Sequence, residues 1–199
     1  MTHSIFKSIK LINPATNFNQ KVNVVIQNET IISISKDLNL EKFNKDNQTI
    51  IYDCEGLTMS PGIFDMRVNI GKTENLKFTQ ITAAESGITS MAILPNQTPK
   101  LNNPSIIDHI KRQSEDINLP KVMVYGAATK DLNGLEMSEI GLMSEMGAIG
   151  FTNGNKSIKN SLVMRRLMSY AAMINRPIIQ HAEDEDLSGL NQASTTSIK

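Results

Sequence analysis

From residue 59 onward the chain runs through five β-like segments separated by four helix-length segments, and no other feature constrains its fold as tightly. Residues 62–68, 88–94, 121–126, 148–152 and 177–181 are short apolar, β-rich runs bounded by Gly, Pro or polar turns. Residues 75–86, 104–115, 138–146 and 161–174 carry helical spacing. The first and third helices stop at Gly87 and Gly147, and the second opens with Pro104-Ser105. The fourth is expected to set Leu162, Leu167 and Ala171 on its apolar side. Strands alternating with helices imply an α/β fold with a parallel sheet. In such folds functional groups gather at the C-terminal ends of the strands. That rule singles out Arg67 and Asn69, Pro95 and Asn96, Thr129 and Lys130, Asn153, and His181 with Glu183 and Asp184.

The first 57 residues read differently. Residues 9–14, 21–28, 30–35 and 49–53 are β-branched runs of near-period-two spacing, which predict hairpins in a small sheet. The expected organisation is a small β-sheet over 1–57 and a β/α region over 58–199. Twenty basic residues balance twenty acidic ones, so no charge excess points to nucleic acid or an anionic membrane. A single cysteine, Cys54, cannot form an internal disulfide, and no apolar run approaches the roughly 20 residues of a membrane span. A cytoplasmic protein is expected. The 11 Met residues are read as core filler rather than an adaptable binding surface.

The strand ends, taken together, resemble the first half of a type I dihydroorotase of the amidohydrolase superfamily. Residues 60–66 (SPGIFDM) are similar to that family's PGxxDxHxH entry to its first barrel strand. Residues 83–89 and 94–99 resemble its AAxxGGxT and MPNTxP segments, and residues 125–130 its third strand. Residues 147–154 (GAIGFTNG) resemble GAxxFTDDG, and residues 180–184 (QHAED) the histidine motif ending strand five. The motifs occur in order, at the family's spacing, over essentially the whole chain.

The resemblance implies a (β/α)8 barrel preceded by a small sheet, and zinc-assisted hydrolysis or closure of a cyclic amide in pyrimidine biosynthesis. It implies ligands from a His-X-His pair after strand one, a Lys or Asp after strand four, His after strands five and six, and Asp after strand eight. Here the pair is Arg67-Val68-Asn69 and the strand-four position is Asn153. A guanidinium has no lone pair to offer a cation. Asn69 offers a neutral amide oxygen, better suited to calcium-like ions than to zinc, and Asn153 lacks the charge of a bridging carboxylate. Gly71 stands where the family places a substrate-binding Arg, with Lys72 beside it. Asn96, which the resemblance makes a contact to the substrate carboxylate, and His181 survive.

The chain has three histidines; His3 lies near its start and His109 on a helix, so neither is placed to ligate. His181 is either a vestigial ligand or an imidazole held by Glu183 or Asp184, and with its co-ligands replaced the second is favoured. Asn96 serves either the turn after Pro95 or a ligand. Arg67 is expected to pair with Asp65 or to hydrogen-bond strand-end carbonyls, with anion binding as the alternative. The acidic run Glu183 to Asp186 is expected to be a solvated loop rather than a cation site.

A closed (β/α)8 barrel takes about 250 residues, whereas about 140 follow Gly62, enough for five β/α units. The expectation is therefore a partial barrel, either a fragment of a longer product or completed by a partner or a second copy. Some bacterial members of the family are inactive chains that assemble with aspartate carbamoyltransferase, and the lost ligands resemble those. The expected role is non-catalytic and structural, without zinc; an active dihydroorotase- or allantoinase-type enzyme with a site completed in trans is the alternative.

Overall fold

The computed structural model describes residues 3–38, 49–115 and 120–183. Contacts divide it into Met1–Pro61 and Gly62–Lys199. In the first unit β1 (His3–Asn13) is the central strand. A 3-10 turn at Pro14–Thr16, where the Asn13 Oδ1 accepts from the Ala15 N–H at 3.1 Å, reverses the chain into β2 (Phe18–Gln27). β3 (Thr30–Ser35) pairs antiparallel with β2. The hairpin expectation holds for these strands only. β4 (Thr49–Asp53) and β5 (Thr58–Met59) both pair parallel with β1. They share one edge of β1 on either side of a bulge at Ser8, whose φ is 60°. Across that bulge the ladder continues as the Cys54 N–H donates to the Lys7 carbonyl at 2.9 Å and the Lys10 N–H to the Leu57 carbonyl at 3.0 Å. Ile9, Leu11, Val22, Val24 and Cys54 form this unit's core, so the lone cysteine serves as a buried small hydrophobe.

The second unit holds β6 (Ile63–Val68), β7 (Ile88–Ile93), β8 (Lys121–Ala127), β9 (Ala148–Thr152) and β10 (Ile178–Ile179) in one sheet. Their spatial order follows the chain and every pairing is parallel, giving a curled half-barrel sheet. α1 (Leu76–Glu85), α2 (Pro104–Glu115), α3 (Ile140–Glu145) and α4 (Ser161–Met173) make the crossovers. Alternation along β7 divides the core: Met91 and Ile93 join Ile107, Ile110, Met143, Phe151 and Leu167 on the helix side. Ala92 and Leu94 pack with Tyr125 on the other face.

Three element-level expectations are corrected. The buried stripe of α4 is Val163, Leu167 and Ala171, an i, i+4, i+8 row, and Leu162 is exposed. α3 begins at Ile140, not 138, because the Ser138 N–H is drawn to the Ala128 carbonyl at 3.1 Å and Glu139 is non-helical. β10 is two residues long, Ile178–Ile179, and among the described residues pairs with β9 alone. No helix among the described residues is long and apolar enough to cross a membrane.

Candidate functional site at the strand ends

The loop after β9 organises the C-terminal ends of the sheet. Asn153 is 2% exposed and Thr129, at the end of β8, is fully buried. The Asn153 Oδ1 accepts from the Thr129 N–H at 3.1 Å and also lies 3.1 Å from the Thr129 hydroxyl. The Asn153 Nδ2 donates to the Thr129 Oγ1 at 2.8 Å, and the Gly134 N–H donates to the same oxygen at 2.9 Å. One residue on, Gly154 adopts a φ of 66°, and a Cβ there would stand 3.4 Å from the Asn96 side chain beyond β7. One further, the Asn155 Oδ1 accepts from the Arg67 Nη2 at 2.7 Å, reaching the end of β6. Residues 153–155 thus touch the three preceding strand ends in turn.

Arg67 therefore corrects the sequence reading. Its guanidinium is held by the Asn155 amide, not by Asp65 or a backbone carbonyl; the Asp65 Oδ1 instead accepts the Arg67 backbone N–H at 3.0 Å. Asn69 is exposed, and its Oδ1 accepts from the Gly71 N–H at 3.0 Å in an Asx turn. Asn96 sits in the turn after Pro95 with its Oδ1 enclosed and without a partner. The His181 Nε2 lies 2.6 Å from the Glu183 Oε2, the arrangement favoured from sequence. His3 lies on β1 in the other unit and His109 is exposed on α2. Asp184, Glu185 and Asp186 lie outside the described residues.

Two groups here have shifted acidities. The hydrogen bond from Lys130 to Glu136, at 2.6 Å, holds the ammonium above the usual lysine range, and burial pushes the Tyr125 hydroxyl upward.

The donor set does not fit zinc. Zinc takes three or four His, Cys or carboxylate ligands, yet Arg67 has no lone pair to give and Asn69 and Asn153 offer only neutral amide oxygens that already accept N–H groups. Among the described residues no group of three His, Cys, Asp or Glu could hold a metal ion. Sequence reasoning singled out Thr129 by position without giving it a task, and missed Asn155. Its signal is the Asn-Gly-Asn run at 153–155, a turn tripeptide presenting two short amides directly after a buried strand.

Residues 58–196 match the dihydro-orotase-like family model. Over 189 residues the chain is 28% identical to a dihydroorotase of Syntrophus aciditrophicus and 30% identical to one of Caldicellulosiruptor saccharolyticus. In both cases the match covers 92% of this chain and 43% of the relative, so the chain spans under half the length of these curated relatives. The fold is similar to that of the L-hydantoinase (dihydropyrimidinase) from Arthrobacter aurescens, with a TM-score of 0.75 and 20% identity over 94% of this chain and 42% of that one. It is also similar to A. niger ochratoxinase, with a TM-score of 0.65, 14% identity and coverage of 89% and 55%. Ordered motifs, a half-barrel sheet and a family match over most of its length place the chain in the dihydro-orotase-like family.

Proposed function

We propose that this chain is a non-catalytic dihydroorotase-like protein of pyrimidine biosynthesis, a structural partner of aspartate carbamoyltransferase. One observation carries the loss of catalysis: at the ends of β6 and β9, where the resemblance calls for metal ligands, side-chain oxygens are already engaged and a guanidinium fills the remaining position. Hydrolysis of an amide near neutral pH needs a metal-activated water or an equivalent base, and these residues supply neither. The carbamoyltransferase partner rests on the likeness to inactive members of the family. The test is zinc content, dihydroorotate turnover and co-purification with aspartate carbamoyltransferase. Well under one zinc per chain, no turnover and a stable complex are expected; tightly held zinc with turnover overturns the reading.

The alternative is an active cyclic amidohydrolase completed by further sequence or another chain. Its support is the retention of Asn96 and His181 in a chain matching 43% of its relatives' length. Turnover regained on adding the second half of a related barrel would favour it.

A further inference from the structure

We propose that Asn133 is a modification site, where the side-chain amide closes on the Gly134 nitrogen, releases ammonia and leaves aspartate or isoaspartate in the loop after β8. Asn is followed by Gly twice in the chain, at 133–134 and 153–154. Glycine has no Cβ to shield its peptide nitrogen, so ring closure meets least hindrance at these two places. In the reaction the Gly134 nitrogen loses its proton and bonds to the Asn133 Cγ, the Cγ–Nδ2 bond breaks, and ammonia departs. Water then opens the five-membered imide at either carbonyl, giving aspartate or isoaspartate. Water is the only co-reactant, and nothing is oxidised or reduced.

The fold separates the two pairs. Asn133 is exposed, and the Leu135 N–H donates to its Oδ1 at 2.9 Å. That Asx turn keeps the side chain beside the Gly134 peptide, and it puts a donor on the oxygen where negative charge develops during attack. Among the described residues no hydrogen bond holds the Asn133 Nδ2, the leaving nitrogen. Asn133 and Gly134 line an open cleft of about 370 Å³ together with Lys156 and Lys159 from the loop after β9. Two ammonium groups there favour loss of the Gly134 proton and stabilise the oxyanion that follows. The product carboxylate then shares the cleft with the same two lysines. Asn153 is the reverse case. It is 2% exposed, and its Oδ1 and Nδ2 are both bonded to Thr129, 24 residues earlier, rather than to the peptide that follows it. Its leaving nitrogen is held and water is kept away. The nucleophiles do not make the difference: the Gly134 N–H donates to the Thr129 Oγ1 at 2.9 Å and the Gly154 N–H to the Thr152 Oγ1 at 3.0 Å. Each bond must open before attack, so both pairs react more slowly folded than unfolded.

The test is incubation of the full chain in mildly alkaline buffer, folded and in parallel in urea, followed by peptide mapping that distinguishes aspartate from isoaspartate at each position. In the folded chain, acid at 133 should accumulate at least about tenfold faster than at 153. In urea the two positions should convert at comparable rates. Lys156→Gln with Lys159→Gln should slow conversion at 133 severalfold in the folded chain and leave its rate in urea unchanged. Asn133→Gln should abolish conversion at that position with unchanged circular dichroism, because a glutamine would have to close a less favourable six-membered ring. Equal conversion at 133 and 153 in the folded chain overturns the proposal. So does an inert Asn133 in a chain that converts in urea, or a folded rate indifferent to the two lysines. None of these outcomes depends on zinc content or turnover, so failure here leaves the non-catalytic reading standing.

Discussion

Thr129 carries more of the strand-end geometry than any residue whose chemistry drew attention in the sequence. Its hydroxyl oxygen accepts from the Asn153 amide and the Gly134 N–H inside a fully buried site. Thr129→Val keeps shape and volume but leaves both donors without an acceptor, and each unsatisfied buried donor costs about 1–3 kcal/mol. The expected result is a loss of about 2–4 kcal/mol in urea unfolding, with an unchanged slope. Thr129→Ser, which keeps the acceptor, should recover most of it. A second prediction concerns ligand restoration. Arg67→His, Asn69→His and Asn153→Asp together rebuild the strand-one pair and the bridging carboxylate beside His181, so zinc binding should appear. Turnover should not, because a general base and substrate-orienting groups are still required and Gly71 replaces the family's substrate-binding Arg. Zinc content and dihydroorotate turnover of the triple variant, measured together, check this; turnover within about tenfold of an ordinary relative would contradict it.

At the scale of elements, the close approach of β8, β9 and α3 depends on Gly126. A Cβ there would meet the Phe151 ring at 2.8 and 2.9 Å and the Met143 sulfur at 3.2 Å. Phe151 and Met143 are both fully buried, so the ring has no space to withdraw into. Gly126→Ala should overpack this layer and cost about 1–3 kcal/mol, read as a lower thermal midpoint. Truncating the obstacle in the double variant Gly126→Ala, Met143→Ala should not rescue it, since Phe151 makes the shorter contact. The same elements show why boundaries were less legible than existence. The periodicity of residues 138–146 predicts a helix, but a tertiary hydrogen bond from Ser138 to Ala128 delays its start. In α4 the sequence offers both Leu162 and Val163, and only the direction of the neighbouring sheet decides that Val163 turns inward.

For the whole molecule, the outer sides of β6 and β10 are unpaired strand edges among the described residues. Met66 on β6 is 64% exposed, Phe78 on α1 72% and Met173 on α4 80%. Unpaired edges flanked by apolar side chains template association. The 22.0 kDa chain should therefore self-associate or bind a partner at micromolar concentration, and Met66→Lys with Phe78→Lys should lower its weight-average mass. Sedimentation velocity measures both. A monodisperse monomer with a cooperative melt would show that the half-barrel is self-sufficient.

Local pattern and chemistry determined a large share of this protein. Period-two and helical spacing are properties of contiguous residues, so the α/β class, the five strands and the four helices were readable directly. So was the misfit of Arg67 to a metal, because a guanidinium lacks a lone pair wherever it stands. Tertiary structure decided the rest. That β4 and β5 return parallel to β1 depends on β2 taking one edge of β1 and leaving the other open. That Asn155, 88 residues away, rather than the neighbouring Asp65, holds the Arg67 guanidinium depends on the sheet curling until β9's loop reaches β6. Contacts of that sequence separation leave no periodic trace, because they arise only when distant strand ends are brought to one side of a sheet.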